Sequence, residues 1–94
     1  MSEITLGILG GGQLGSMLSL AAKKINIKSI IYSDDKDAPA QNFCNEFIYG
    51  KYYDKEKIYD FIKKVNVITF EFENIPFETL NEISKLKSVY PKPS

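Results

Sequence analysis

Two short segments carry the residue types that could bind a ligand, and the first is "GGGQLG", residues 10–15. Gly10, Gly12 and Gly15 satisfy the spacing G-x-G-x-x-G. The first glycine permits a tight turn, the second lets a ligand approach the backbone, and the third lets a helix pack closely. Free N–H groups at the start of that helix attract polar or anionic atoms. The same glycines also suit a tight turn that binds nothing, and this alternative stays open.

The second segment is "TFEFENIP", residues 69–76. Strand alternation puts Glu71 and Glu73 on one face and Phe70 and Phe72 on the other. A carboxylate opposite a glycine loop suits a ligand that presents an amine or a hydroxyl donor, whereas it would repel a pyrophosphate. We therefore expect Glu71 to bind the ligand. Glu73 fits a strand end that reaches water equally well.

An acidic pair forms a third candidate. Asp34 lies about 20 residues after the glycines, where a Rossmann enzyme holds a ribose hydroxyl. A solvated acidic loop, "SDDKDAP", explains the same residues equally well. The role of Asp35 stays open.

Composition narrows the classes of function. The 94 residues predict one domain spanning residues 1–94. Twelve Lys balance twelve Asp plus Glu, so we expect neither a nucleic-acid partner nor a membrane partner. The chain has no His, no Arg and one Cys, Cys44, and we predict no metal ligands and no catalytic residue in it. With no signal peptide and no long apolar run, a cytoplasmic location is expected.

Hydrophobic periodicity predicts that strands and helices alternate along the chain. This order predicts an α/β fold, a Rossmann-like open parallel sheet of four to five strands with helices on both faces. Ligands bind such sheets at the carboxyl ends of the strands, near the point where strand order reverses. Strands 1 and 4 should flank that crevice, so the glycine loop and Glu71 should face each other. The predicted strands are 4–9, 28–33, 46–50, 67–73 and 88–90, and the predicted helices are 13–25, 54–65 and 76–86, with a loop and short helix at 37–45.

Apolar residues recur at helical spacing in each predicted helix. In the first they are Leu14, Met17, Leu18, Ala21 and Ala22; in the second Ile58, Phe61, Ile62 and Val65; in the third Phe77, Leu80, Ile83 and Leu86. Asp54 is predicted to cap the second helix, and Pro76 to be the first residue of the third.

Three segments taken together resemble the N-terminal domain of the N5-carboxyaminoimidazole ribonucleotide synthetases: "GILGGGQLGSMLSLAA", "DAPA" and "VITFEFENIP". The resemblance runs from Gly7 to Pro93 and implies a pre-ATP-grasp domain. It implies that the whole enzyme carboxylates 5-aminoimidazole ribonucleotide with bicarbonate and ATP, in purine biosynthesis. The implied route passes through carboxyphosphate, with Mg2+ on the ATP.

The resemblance also implies roles for particular residues. Gln13, Leu14 and Glu71 match residues that contact the ribonucleotide in related enzymes, and Glu71 would hold the amino group of the aminoimidazole. Gly12, from the glycine spacing, and Asp34, from its distance after the glycines, complete the expected substrate-binding set.

The sequence departs from the family in its length, because it stops at Ser94. The family continues into an ATP-grasp domain and a small C-terminal domain. We therefore expect the ATP and Mg2+ sites to lie outside these residues, no cofactor to bind this fragment, and the fragment alone to lack synthetase activity. The resemblance is compatible with a homodimer.

Three other readings remain. An NAD(P)-binding domain of an oxidoreductase would use the glycines and Asp34, but it leaves Glu71 and Glu73 unexplained. A non-catalytic nucleotide-sensing Rossmann module would hold a mononucleotide at the loop. A structural domain would have its ligand at an interface with a partner.

Overall fold

Five parallel strands form a single sheet in the computed structural model, which describes residues 4–70 and 75–90. The strand order is β3-β2-β1-β4-β5, and every neighbouring pair is parallel. This confirms the predicted fold class, with five strands. The strands are β1 Thr5–Leu9, β2 Lys28–Ser33, β3 Glu46–Tyr49, β4 Val67–Phe70 and β5 Val89–Tyr90.

Helices cover both faces of this sheet, as predicted. The helices are α1 Gln13–Lys24, a 3₁₀ helix Pro39–Asn42, α2 Lys55–Lys63 and α3 Phe77–Ser84. Side chains of α2 and α3 share a buried cluster with one face. Leu18 of α1 and Ala40 of the 3₁₀ helix pack in a second cluster on the opposite face. Crossovers between parallel strands are right-handed, so the helices change face when the chain reverses direction. The chain runs one way across the sheet from β1 to β3 and the other way from β3 to β5.

The cluster under α2 and α3 is the larger one, and its centre is aromatic. Tyr32 and Phe61 are fully buried, with ring centroids 5.6 Å apart and ring planes tilted by 53°. The apolar stripe predicted for α2 is confirmed, since Ile58, Phe61 and Ile62 are all buried. The matching prediction for α3 is only half right. Leu80 and Ile83 are buried, but Phe77 and Leu86, near its two ends, are exposed.

Helix α1 buries small residues rather than its large apolar ones. Its buried positions are Gly15, Ser19 and Ala22, while Leu14 and Met17 are 41% and 60% exposed. The apolar spacing therefore predicts the helix but not the face that it buries. Small side chains allow a helix to approach a sheet closely, which accounts for the small residues on the buried face of α1.

The predicted ends of the elements are right to within a few residues. Asp54 caps α2 as predicted, because its Oδ1 accepts a hydrogen bond from the Lys57 amide at 3.2 Å. Pro76, predicted as the first residue of the last helix, instead precedes it, and α3 begins at Phe77. The described part of β4 ends at Phe70. Over the described ranges, no helix has the length and apolar character needed to cross a bilayer.

Candidate ligand-binding site

The reversal of strand order falls between β1 and β4, which both lie at the centre of the sheet. Leu9, the last residue of β1, and Phe70, the last described residue of β4, are register partners. The glycine loop leaves the sheet directly after Leu9. The crevice predicted between strands 1 and 4 therefore lies beyond this pair of residues, at the carboxyl edge of the sheet.

Gly10 makes the turn out of β1. Its φ angle is 111°, in the region that residues with a Cβ atom rarely adopt. Its amide donates a hydrogen bond to the Tyr32 carbonyl oxygen at 2.8 Å, which extends the pairing of β1 with β2 by one residue. This confirms the turn-forming role predicted for the first glycine.

Gly11 is held by the segment that follows β2, a contact that the sequence pattern did not predict. A Cβ atom on Gly11 would lie 2.5 Å from the Ala38 Cβ and 3.2 Å from the Ser33 Cβ. The Gly11 carbonyl oxygen also accepts a hydrogen bond from the Ala40 amide at 3.0 Å. The glycine fingerprint does not include Gly11, and the only hint in the sequence is the run of small residues in "DAPA". The first two of the three segments that carry the resemblance, the glycine segment and "DAPA", are thus in direct contact.

Gly12 occupies the N-cap position of α1 and has no side chain with which to cap the helix. Its carbonyl oxygen accepts hydrogen bonds from the Ser16 amide at 3.0 Å and from the Ser16 hydroxyl at 3.1 Å. No side chain caps the start of the helix. Within residues 4–70 and 75–90, the amides of Gln13 and Leu14 have no recorded acceptor. Helix starts of this kind bind anionic and polar atoms.

The side chains of Gln13 and Leu14 lie at this same edge of the sheet. Both residues are in the first turn of α1 and both are exposed. The structure thus brings Gly12, Gln13 and Leu14 together on an accessible surface beside the switch point.

The two aspartates after β2 have different environments. Asp34 is exposed, with no hydrogen bond recorded for its carboxylate among the described residues. The Asp35 carboxylate accepts a hydrogen bond from the Asp37 amide at 2.9 Å, and the Asp35 amide donates one to the Ser33 hydroxyl at 3.1 Å. Asp35 therefore shapes the loop that reaches Gly11, whereas Asp34 is available to a ligand.

The predictions for Glu71, Glu73 and Phe72 lie outside the described residues. Phe70, which precedes them, is buried on the face under α2 and α3. The ligand-binding role of Glu71 therefore stays a prediction, and so does the solvent-facing position of Glu73.

Tyr32 has a perturbed pKa near this edge of the sheet. Burial, and then the nearby charge of Asp54, raise the pKa of Tyr32 to about 12. The neutral Tyr32 hydroxyl donates a hydrogen bond to the Lys51 carbonyl oxygen at 2.6 Å, so it holds the loop after β3. In the described part of the chain, no group of His, Cys, Asp and Glu side chains is placed to hold a metal ion.

Fold and site together define the class of this protein: an α/β domain that presents a glycine loop and an uncapped helix start at the switch point of a parallel sheet. The model of the ribonucleotide synthetase preATP-grasp domain family matches residues 3–94. The chain belongs to this family, which confirms the resemblance drawn from the sequence.

Known relatives carry names that agree with this family. The chain is 41% identical over 81 residues to an N5-carboxyaminoimidazole ribonucleotide synthase of Staphylococcus haemolyticus, a match that covers 86% of this chain and 22% of the relative. The chain thus spans less than a quarter of the length of that relative.

Solved structures show the same fold. The structure of N5-carboxyaminoimidazole synthetase from Staphylococcus aureus with ADP superposes with a TM-score of 0.85 at 34% identity, covering 94% of this chain and 24% of that chain. A synthase from Aspergillus clavatus, in complex with ADP and 5-aminoimidazole ribonucleotide, superposes with a TM-score of 0.77 at 27% identity, covering 93% of this chain and 23% of that chain.

Proposed function

We propose that this chain is the N-terminal, substrate-binding domain of an ATP-dependent ligase that carboxylates 5-aminoimidazole ribonucleotide on its exocyclic nitrogen, in purine biosynthesis. The observation that carries the proposal is the accessible first turn of α1 at the switch point, in a chain of the ribonucleotide synthetase family. The Aspergillus clavatus structure, whose protein binds 5-aminoimidazole ribonucleotide, supports this choice of substrate.

In this proposal the ribonucleotide lies across the glycine loop. The amides of Gln13 and Leu14 and the Gln13 side chain bind polar atoms of the substrate, and Gly12 lets the substrate approach the backbone. Glu71 accepts a hydrogen bond from the amino group, which orients the nitrogen that receives the carboxyl group. Asp34 accepts a hydrogen bond from a hydroxyl of the substrate.

ATP, Mg2+ and bicarbonate would bind elsewhere in the complete enzyme. The chain has no Arg for bidentate contacts to phosphate, and its described residues include no metal-ligand cluster. We therefore place the ATP and metal sites outside this domain and assign it no catalytic step. We further propose that the complete enzyme is cytoplasmic and acts as a homodimer.

The two nucleotide-binding alternatives are less well supported. An NAD(P)-binding oxidoreductase domain or a nucleotide-sensing module would use the same glycine loop, but the matched relatives carry the names of ribonucleotide synthases. The three functions are distinguished by which ligand binds: 5-aminoimidazole ribonucleotide, NADH or an adenine mononucleotide.

The test joins residues 1–94 to the part of the Staphylococcus aureus relative that follows the matched segment. We expect this chimera to bind 5-aminoimidazole ribonucleotide by calorimetry and to hydrolyse ATP when the ribonucleotide and bicarbonate are both present. Glu71→Gln should weaken ribonucleotide binding by about tenfold or more, because it removes the charged acceptor. Glu78→Gln, an exposed change on α3, is the matched control. A folded chimera that binds NADH or an adenine mononucleotide at the loop, and not the ribonucleotide, would overturn the proposal.

A further inference from the structure

The two faces of the sheet are covered to different extents. On the face under α2 and α3, one row of register partners crosses four strands: Ile30, Gly7, Ile68 and Val89. All four are buried, and Ile68 and Val89, on β4 and β5, are only 0% and 4% exposed. The helices on this face therefore cover the sheet as far as its β5 edge.

The opposite face is covered on one side only. The adjacent row of register partners runs from Phe47 through Ile31, Ile8 and Thr69 to Tyr90. Ile31 and Ile8 are fully buried, Thr69 is partly exposed, and Tyr90 is 54% exposed. Among the described residues, the buried cluster on this face takes its strand residues from β1, β2 and β3. Helix α1 and the 3₁₀ helix thus leave the β4 and β5 side open.

One flank of α1 borders this open area. Burial raises the pKa of the Cys44 thiol, while backbone hydrogen bonds and the nearby charge of Lys23 lower it. Cys44 lies just before β3, so Lys23 lies on the flank of α1 toward that strand. Ala21 is two residues away and points about 200° around the helix from Lys23. Because Lys23 lies toward β3, Ala21 lies on the opposite flank, toward β4, where it is exposed.

We infer that this area is a docking surface for an apolar helix from the remaining, ATP-binding part of the enzyme. We call it the open half-face, and it consists of Val67, Thr69 and Tyr90 on the sheet and Ala21 on α1. Parallel sheets are covered on both faces in nearly all proteins, because their strands are apolar on both sides. All four side chains are uncharged, so the occupant presents an apolar stripe to them.

The lengths of the relatives indicate where that helix comes from. This chain matches 22% of the Staphylococcus haemolyticus relative and 24% of the Staphylococcus aureus structure. More than three quarters of each relative is thus available to pack against the equivalent of this domain. Tyr90 is the last described residue of the edge strand β5 and belongs to the open half-face, so a chain that continues from β5 begins beside it. This inference rests on family membership and does not depend on the proposed substrate.

A second apolar surface serves as the comparison. A groove of about 370 Å³ lies between α2 and α3 and is lined by Tyr53, Tyr59 and Phe77. Lys55, Glu78 and Glu82 also line it, so its walls carry charges that the open half-face lacks. The sheet beneath the groove is already covered by α2 and α3. A partner bound in the groove would therefore bury less exposed sheet surface than a partner bound to the open half-face.

The experiment measures the rate at which single cysteines react with a maleimide, in a Cys44→Ser background. Ala21→Cys and Tyr90→Cys report on the open half-face, and Tyr59→Cys, with Tyr59 43% exposed, is the matched control for Tyr90. Each variant is measured in the 94-residue chain and in the chimera described above. We expect the chimera to slow both reporters by about tenfold or more and to leave the control within about twofold, because packing excludes the reagent. Ala21 is far from the junction in sequence, so its protection would not reflect the added chain alone.

Several results would overturn the inference. Both reporters could react equally fast in the folded chimera and in the isolated chain, or Tyr59→Cys could become the protected position. Sedimentation of the 94-residue chain could show self-association that Thr69→Lys abolishes, which would make a second copy the occupant. A chimera that fails to fold, while the unmodified Staphylococcus aureus relative folds in parallel, also counts against the inference. Loss of ribonucleotide binding with the reporters still protected would affect only the proposed function.

Discussion

The Cβ atom of Ala38 lies 2.5 Å from the position that a Cβ atom would occupy on Gly11. The loop after β2 therefore closes directly against the glycine turn, and the hydrogen bond from Ala40 to the Gly11 carbonyl fixes it there. The position of the first turn of α1 depends on both segments. Substitutions in "DAPA" should consequently change the glycine loop even though they do not touch a ligand.

Gly11→Ala should destabilise the fold by about 1–3 kcal/mol, because the added methyl group meets the Ala38 Cβ and neither atom can rotate away. Chemical denaturation measures the change in the free energy of unfolding. The double variant Gly11→Ala with Ala38→Gly is the control, since it removes the opposing atom and should recover most of the loss. Equal destabilisation in the single and double variants would show that the contact with Ala38 is not the cause.

Substitutions of Asp34 and Asp35 should have different effects, one on ligand binding and the other on the stability of the fold. Asp35→Ala removes the acceptor of the Asp37 amide and should cost about 0.5–1.5 kcal/mol of stability. Asp34→Ala, at an exposed position, should change stability by less than about 0.5 kcal/mol. In the chimera, Asp34→Ala should weaken ribonucleotide binding by about tenfold if its carboxylate holds a substrate hydroxyl. If the affinity of the chimera for the ribonucleotide is unchanged, Asp34 is a solvated loop residue that does not bind the substrate.

Asp54→Ala should lower the free energy of unfolding by about 1 kcal/mol, because it removes the side-chain cap of α2. Asp60→Ala, an exposed change within the same helix, should stay within about 0.5 kcal/mol of the parent chain. Thermal unfolding followed by circular dichroism compares the two variants. A loss in Asp60→Ala as large as that in Asp54→Ala would point to a general charge effect instead of capping.

Tyr32 should make stability fall at high pH. Its pKa is raised from 10.0 to about 12 in the folded chain, so folding favours the neutral phenol. The resulting stabilisation is present below about pH 10 and is lost as the pH rises through about 12. Unfolding free energies measured across this range should drop less steeply in Tyr32→Phe. The control is Tyr53→Phe, a change to a tyrosine that is 70% exposed, and it should keep the full pH dependence. If the free energy of unfolding still drops steeply in Tyr32→Phe, other titrating groups cause the loss of stability.

Much of the fold could be predicted because local patterns decide it. The alternation of apolar strands and amphipathic helices predicts the parallel α/β sheet, and the right-handed crossover rule places helices on both faces. Gly10 and Asp54 were also predictable, because a positive φ angle and a helix cap depend on the residue and its immediate neighbours. The helical period of α1 was correct as well.

The buried face of α1 and the closure of the loop on Gly11 required the tertiary structure. Whether Met17 or Ser19 is buried depends on how closely the helix approaches the sheet, and a one-dimensional pattern of apolar residues does not contain that distance. Gly11 and Ala38 are 27 residues apart in sequence, so their contact exists only once β1 and β2 pair. The sequence by itself determined the elements, the glycine turn and the family, because these depend on local chemistry. Only the tertiary structure decided which loop holds the turn, which aspartate is available to a ligand and which half of the sheet remains uncovered, because each depends on surfaces that meet across the fold.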